Sequence, residues 1–324
     1  MGKNYSTGVI TLTFKGISSI GQITLTDILK SNVVTYFDWG FVNAGGFVNV
    51  NSSASGLYGG NHSILRPIQD PSFTNGRVWE AKRSNWVWEK GTEVNVPVSI
   101  SGVYINNVFT TSGYYYDYLN GRVIFNTPIS TSSTVRLNYS YKSVKVVEAE
   151  KVPFLQKLQY NSFRVDDANF VIGSGDNIGL ANQRLQMPLV AITSVGRNYK
   201  GYQIGDKSAW TYTDFVFDIF TEDKRTADKI ADIISYQTEV TTYLFDPTII
   251  TSGNYPLDSR GALVNPSATY PNLIRSSGDG GFQYTKAQFG KLRFMNGRIQ
   301  QGTWLNHEIY HLPVRLGTEV VFNM

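Results

Sequence analysis

Tyr114-Tyr115-Tyr116-Asp117-Tyr118-Leu119 runs into Asn120-Gly121, and Arg122-Val123-Ile124-Phe125 runs out of it. Asn-Gly is the preferred pair for a two-residue type I′ turn, because both central residues need positive φ and the turn's twist suits the paired strands. The stretch therefore predicts a β-hairpin. Downstream, Val135, Leu137, Tyr139 and Tyr141 alternate with Arg136, Asn138, Ser140 and Lys142, and Val144 and Val146 extend the apolar set. That period of two predicts a strand with one face buried and one wet. With Thr127-Pro128 as punctuation, these residues mark out a compact β module rather than a catalytic framework.

The chain has 324 residues and is 41% hydrophobic, enough for one large or two ordinary domains with real cores. Charged residues make up only 17%, below the usual quarter of a soluble domain, while 20 Tyr, 18 Phe and 6 Trp are present. Tyr and Trp, with an apolar body and a polar tip, serve cores and protein interfaces alike, so this balance leans toward an assembly protein. The net charge of +4 comes from 29 basic against 25 acidic residues, and no run of Lys or Arg concentrates it. Neither the basic stripe nor the reading motif that a nucleic-acid binder usually shows is visible. The absence of cysteine excludes disulfide and thiolate chemistry. Residues 1–30 lack the pattern of a signal peptide, and no apolar run approaches the roughly 18 residues of a spanning helix, so synthesis in a cytoplasm and no membrane partner are expected.

Along the chain, Val9 to Phe14 predict a short strand or extended arm. Thr24 or Thr26 can cap a helix over 26–38, with Leu25, Ile28, Leu29, Asn32, Val33, Tyr36 and Phe37 near helical spacing and Gly40 as a stop. Residues 41–90 are loop-heavy and carry Trp79, Trp86 and Trp88, which reads as an ordered, irregular surface layer. The β module follows over 91–151. Beyond it, Leu189 to Val195 and Phe215 to Phe220 predict strands, the second nearly continuous in apolar residues and so expected to be buried on both faces. Asp223 opens an amphipathic helix with Ala227, Ile230, Ala231 and Ile234 on one stripe. Thr241 to Phe245, residues 287–300 and residues 303–322 give further strands, with Asn296-Gly297 and Gly317 as boundaries.

Several strings mimic chemical sites. His307-Glu308-Ile309-Tyr310-His311 matches His-Glu-x-x-His, which holds zinc when a helix brings the two histidines onto one face. Here Ile309 and Tyr310 favour a strand and Pro313 follows closely, so the histidines are expected to stand about 13 Å apart at about 3.3 Å per residue. His62 is the only other histidine. Gly173-Ser174-Gly175-Asp176-Asn177-Ile178-Gly179 resembles a phosphate loop, but too little helix-forming sequence follows before Pro188, so an exposed loop is expected. Asp166-Asp167 are adjacent carboxylates, which as sequence neighbours are expected to point apart rather than converge across a cleft, and no nucleophile elbow accompanies the histidines. The tryptophans at 79, 86 and 88 suit core or interface packing better than a sugar platform. No catalytic, cofactor or metal residue is therefore assigned, and Tyr114, Tyr115, Tyr116, Trp79, Trp86 and Trp88 are the candidate interface residues.

The order Met187-Pro188-Leu189-Val190-Ala191-Ile192, Gly201-Tyr202-Gln203-Ile204-Gly205, Phe215 to Asp223, the helix after it, and Tyr243-Leu244-Phe245-Asp246 resembles neck and tail-terminator proteins of tailed bacteriophages. The Asp38-Trp39-Gly40 region and the run from Gly102-Val103-Tyr104-Ile105 to Tyr139-Ser140-Tyr141 likewise resemble phage virion proteins, and together these stretches cover about two-thirds of the chain. The resemblance implies an α+β, β-rich fold: a tail-terminator-like mixed sheet with two helices, built from residues 1–40 and 152–324, with an inserted antiparallel β-sandwich module at 91–151. It implies a non-enzymatic virion structural protein, a head-tail connector forming a ring of six or twelve copies in the neck or at the tail end, partnered by other neck and tail proteins. The modest positive charge would suit non-specific contact with DNA in the ring's lumen. The rival expectations are a tail-associated receptor-binding or adhesin-like β protein and, behind it, a metallopeptidase at the His-Glu-x-x-His string.

Overall fold

The computed structural model describes residues 23–53, 60–89, 96–151, 186–203, 208–251, 253–305 and 307–323. Over these the chain is a β-rich α+β protein with two extended sheets. The first sheet contains β10 (Lys145–Glu148), β11 (Leu189–Gly201), β12 (Ser208–Thr221), β16 (Tyr310–Asn323), β14 (Ala287–Ile299) and β13 (Thr241–Tyr243) in that spatial order, with β15 (Thr303–Trp304) added beside β16. It is mixed, because β10 runs parallel to β11 while the other pairings are antiparallel.

Two helices, α1 (Leu25–Asn43) and α2 (Lys224–Ser235), share this sheet's main core. Ile28, Leu29, Val33, Phe37 and Phe41 of α1 and Ala227, Ile230, Ala231 and Ile234 of α2 pack with Val190, Ile192, Phe215, Phe217, Ile219, Leu312, Val314 and Leu316. The α2 stripe is the one the sequence predicts. Its N-terminus is fixed by Asp223, whose carboxylate accepts the Thr226 N–H at 2.8 Å, and that backbone bond holds the Asp223 pKa below the usual carboxylate range. At α1, Thr24 and Asp27 form a reciprocal capping box.

Helix α1 does not stop at Gly40. It runs on to Asn43 and ends in a Schellman arrangement, Gly46 N–H to Phe41 O and Gly45 N–H to Val42 O. A mid-helix glycine costs about 1 kcal/mol, whereas burying the Phe41 and Val42 side chains returns about 1.5–3 kcal/mol each, so packing overrides the local signal.

The second sheet is antiparallel and runs β5 (Val108–Thr110), β4 (Val103–Ile105), β8 (Val135–Leu137), β2 (Ile64–Pro67), β3 (Val78–Glu80), β7 (Arg122–Phe125), β6 (Tyr114–Asp117). A short ladder of β1 (Phe47–Val50) with β9 (Tyr139–Lys142) joins it to the first sheet. The module boundaries thus differ from those expected. Residues 41–90 are not an irregular surface layer but supply β1, β2 and β3, while β10, inside the span 91–151, belongs to the other sheet. These three strands are only three or four residues long, too short for periodicity to reveal.

The hairpin at 114–125 is present, but its connection is not a two-residue type I′ turn. Asp117 pairs with Arg122, leaving Tyr118 to Gly121 as a four-residue loop in which Gly121, at φ 68, is left-handed. Tyr118 is held outside the β6–β7 ladder, donating its N–H to Gly261 O and accepting from Trp86 N–H at its carbonyl, and a Cβ on Gly121 would lie 2.6 Å from Arg83 O. The type I′ turn lies elsewhere, at Asn106-Asn107 (φ 48 and 68) between Ile105 and Val108. Asn107→Val is therefore expected to cost about 1–2 kcal/mol, because a β-branched residue is strained at positive φ. A lowered urea midpoint at unchanged slope, with Asn107→Gly at or above the parent, is the result to look for.

In β12, the residues expected to be buried on both faces are so only at the strand's end, where Phe220 packs with Leu189 and Ala191 on the face away from the helices. Phe215, Phe217 and Ile219 are fully buried against the helices, while Val216 and Asp218 are half-buried on the opposite face. Asn296-Gly297 and Gly317 do not end strands. Gly297 sits at a register shift within β14, where its missing side chain lets the end of α2 approach: a Cβ there would stand 3.2 Å from Ser235 Cα.

Candidate functional site

The Trp and Tyr residues singled out as interface candidates are largely used up inside the subunit. Trp79 and Trp86 are fully buried in the module core, with indole N–H groups donating to Gly76 O and Arg83 O. Their expected place at a partner surface is therefore corrected: they face Val123, Val135, Leu137 and Tyr139 across the module interior. Trp88 is half-buried, lying 5.5 Å below the ammonium of Lys142. Tyr114 and Tyr116 form a chain of tilted and edge-on rings that continues through Tyr118 to Trp86, and the Tyr114 hydroxyl donates to Thr110 O at 2.6 Å. Tyr115, on the opposite face of β6, lies beneath the Arg260 guanidinium at 5.5 Å. It is a contact within the chain, where the 257–263 turn docks on the module through Leu257 and Leu263.

Exposed aromatic surface gathers instead at the far end of the long strands. Beyond Ile192, β11 continues to Gly201 paired with β12 on one side. On its other side β10 accompanies it only from Leu189 to Ile192, so among the described residues 193–201 form an open strand edge. Tyr199 there is 57% exposed, contacts Phe322 edge-on at 6.1 Å and accepts a bond from Arg197 at 3.0 Å. On the other face of the same strands Trp210 stacks with Tyr212 (6.0 Å, 11°) and meets Tyr202 at 5.8 Å. Lys200 is opposite Trp210. An open edge with aromatic and basic residues on both faces is a natural place for another chain to add. Sequence reasoning missed it because these residues are scattered over 197–212 and 322, and only the ladder brings them together.

A second feature is polar and buried. Lys142, at the end of β9, is 2% exposed, and its Nζ lies 2.5 Å from Asp38 Oδ2 on α1 and 2.5 Å from Glu89 Oε1. Alternation places Lys142 and Ser140 on the supposedly wet face of this strand, but both are buried, because α1 and the 85–89 segment cover it. Lys142 is held on both sides by its backbone, the N–H donating to Asn85 O and the carbonyl accepting from Gln186 Nε2. Glu89 is 1% exposed at its side chain, and its Oε2 accepts the Trp88 N–H. Burial works against the Lys142 charge, but the two carboxylates outweigh it and raise its pKa. Burial, with Asp38 competing for the same cation, raises Glu89 despite Lys142.

The strings that mimic chemical sites fall out as follows. His307 and Glu308 lie in a bend, and Tyr310-His311 begin β16, so the two histidines do not share a helical face. His311 Nε2 meets Asp218 Oδ1 at 2.8 Å and its ring stacks on Phe220 at 4.7 Å. His62 is buried in the module beside Lys82. The Gly173–Gly179 loop and Asp166-Asp167 lie outside the described residues. Among the described residues no group of three or more His, Asp or Glu is placed to hold a metal ion. A cleft of about 210 Å³ beside α3 (Tyr270–Leu273) is lined by Asn272, Arg275 and Asp279, but the Asp279 carboxylate already accepts from Ser276 at 2.5 Å. No described helix is long and apolar enough to cross a membrane.

No family model matches the chain, and neither the curated proteins nor the solved structures contain a match.

Proposed function

We propose that this chain is a virion structural protein of a tailed bacteriophage, a subunit of an oligomeric ring in the neck or at the tail end that joins head to tail. The observation that carries the reading is the way its resembling segments come together. Leu189–Ile192, Phe215–Thr221 and Thr241–Tyr243 fall in one mixed sheet, and the two helices α1 and α2 close the core of that sheet. A ring subunit needs two different faces that meet head to tail. The open edge of β11 with its aromatic and basic flanks is one such face. The second sheet, standing on the β1–β9 ladder, projects a separate surface for other neck or tail proteins.

In this role the protein acts by position: it closes a tube, joins it to the head and surrounds the genome's path, with Arg197 and Lys200 available for backbone contact with DNA where they face the lumen. Native mass spectrometry of the full chain, with negative-stain imaging, is expected to give a closed ring of six or twelve copies, alone or with co-expressed neck proteins. A chain that stays monomeric in both conditions would overturn the proposal. Specific retention of the monomer on host glycans would favour the adhesin-like alternative instead.

A further inference from the structure

We propose that Lys142 and Asp38 are the partners of an intramolecular isopeptide bond, formed spontaneously with Glu89 as the proton-transfer group. The three side chains meet the geometric demand of that reaction. Lys142 Nζ touches Asp38 Oδ2 at 2.5 Å, so the carboxyl carbon, one C–O bond further on, stands at about the 3–3.5 Å of a near-attack arrangement. Glu89 Oε1 touches the same nitrogen at 2.5 Å, where it can take a proton from the ammonium and return it to the departing oxygen.

The surroundings favour the step at Glu89. Glu89 and Lys142 are shielded from water, with the Trp88 ring 5.5 Å from Nζ, and burial disposes the Glu89 carboxylate to take up a proton. Two carboxylates share one cation, so one is free to serve as proton carrier while the other is the electrophile. Neither the amine nor Glu89 needs to be ordered further, because Asn85, Gln186 and the Trp88 N–H already hold them. Asp38, unlike its partners, keeps 21% of its side chain exposed, which gives the leaving group a way out.

The chemistry balances without an external reagent. The Nζ–Cγ bond forms, one Cγ–O bond of Asp38 breaks, two of the three ammonium protons end on that oxygen, and one water leaves. Glu89 finishes in its starting state. The product would tie α1 to β9 across 104 positions of sequence, at the foot of the second sheet.

Intact-mass spectrometry of the full-length chain under denaturing conditions tests this directly. The expected mass is one water below that of the sequence, and proteolysis should release a branched peptide that joins the segments around Asp38 and Lys142. Lys142→Arg and Glu89→Gln are expected to restore the full sequence mass. A wild-type chain that keeps its full mass after prolonged incubation in the folded state overturns the proposal. So does a water loss that persists in Lys142→Arg, or a branch that fragmentation assigns to Glu89. The wild-type measurement decides even where a variant fails to fold.

Discussion

Lys142→Met is expected to lower the unfolding free energy by about 3–5 kcal/mol, the range seen when one member of a buried ion pair is removed. The loss comes less from the missing attraction than from what stays behind. Glu89 would remain buried with no cation, and Asp38 would face it across the same space. Methionine fills most of the lysine's volume, so the cavity contribution is small and the electrostatic one dominates. Lys142→Met combined with Glu89→Gln is expected to cost clearly less than the sum of the two single changes, because the second substitution removes the stranded charge. Urea denaturation at neutral pH reads all three variants. A loss below about 1 kcal/mol for Lys142→Met would rank the cluster with ordinary surface pairs and undo the argument. An amide at the same nitrogen would deepen the loss, not reverse its sign.

The second large effect is alkaline unfolding. Tyr118, Tyr139, Tyr270 and Tyr284 are buried, and burial raises each hydroxyl's pKa, that of Tyr118 to about 12. A group whose folded pKa is raised contributes stability fully below its unfolded pKa and loses it as pH climbs through the folded value. For tyrosine that window opens near pH 10, and each residue then costs about 1.4 kcal/mol per pH unit. Tyr118, Tyr139 and Tyr270 together take about 4 kcal/mol per unit from a typical net stability of about 5–15 kcal/mol, and Tyr284 adds to the loss. Cooperative loss of the folded signal is therefore expected between about pH 10.5 and 12.5, with phenolate absorbance from the buried tyrosines appearing in the same transition. Smooth titration of every tyrosine near pH 10 with unchanged circular dichroism would contradict this.

The legibility of the fold in the sequence varied with the length of the signal. Helix α2 reads directly from Asp223 and its four-residue apolar stripe, because an exposed amphipathic helix has one dry side and a local cap. Strand β16 reads almost as well, because Leu312, Val314 and Leu316 alternate with His311, Pro313 and Arg315, whereas β12 is legible only over its last part, Phe215 to Phe220. What failed were features set by distant neighbours. Nothing local at Gly40 says that Phe41 will find the sheet core. Nothing in Asn120-Gly121 says that Tyr118 will be captured by Gly261, 143 positions away, and the hairpin loop lengthened as a result. The surface features were the least visible. Trp79 and Trp86 look like interface residues by type but fill a core enclosed by strands of only three or four residues each. Lys142 looks like a solvated residue by alternation, and its role exists only because Asp38 and Glu89 arrive from 104 and 53 positions away.

The β1–β9 ladder has one further consequence. The chain leaves the first sheet's layer just before Phe47 and returns at Lys142, and these two residues are directly paired. Entry and exit are therefore neighbours, the arrangement in which a stretch of polypeptide behaves as a cassette. A substitute sequence closing on the same two-strand stem would leave the hydrogen bonding of β10 to β16 intact. The exchange has a condition, though: the host half of the cluster, Asp38, stays behind on α1, and the newcomer must bring a cation to meet it. Asp38 thus acts as one compatibility lock, and the 257–263 turn, which docks on the module through Leu257 and Leu263, is a second.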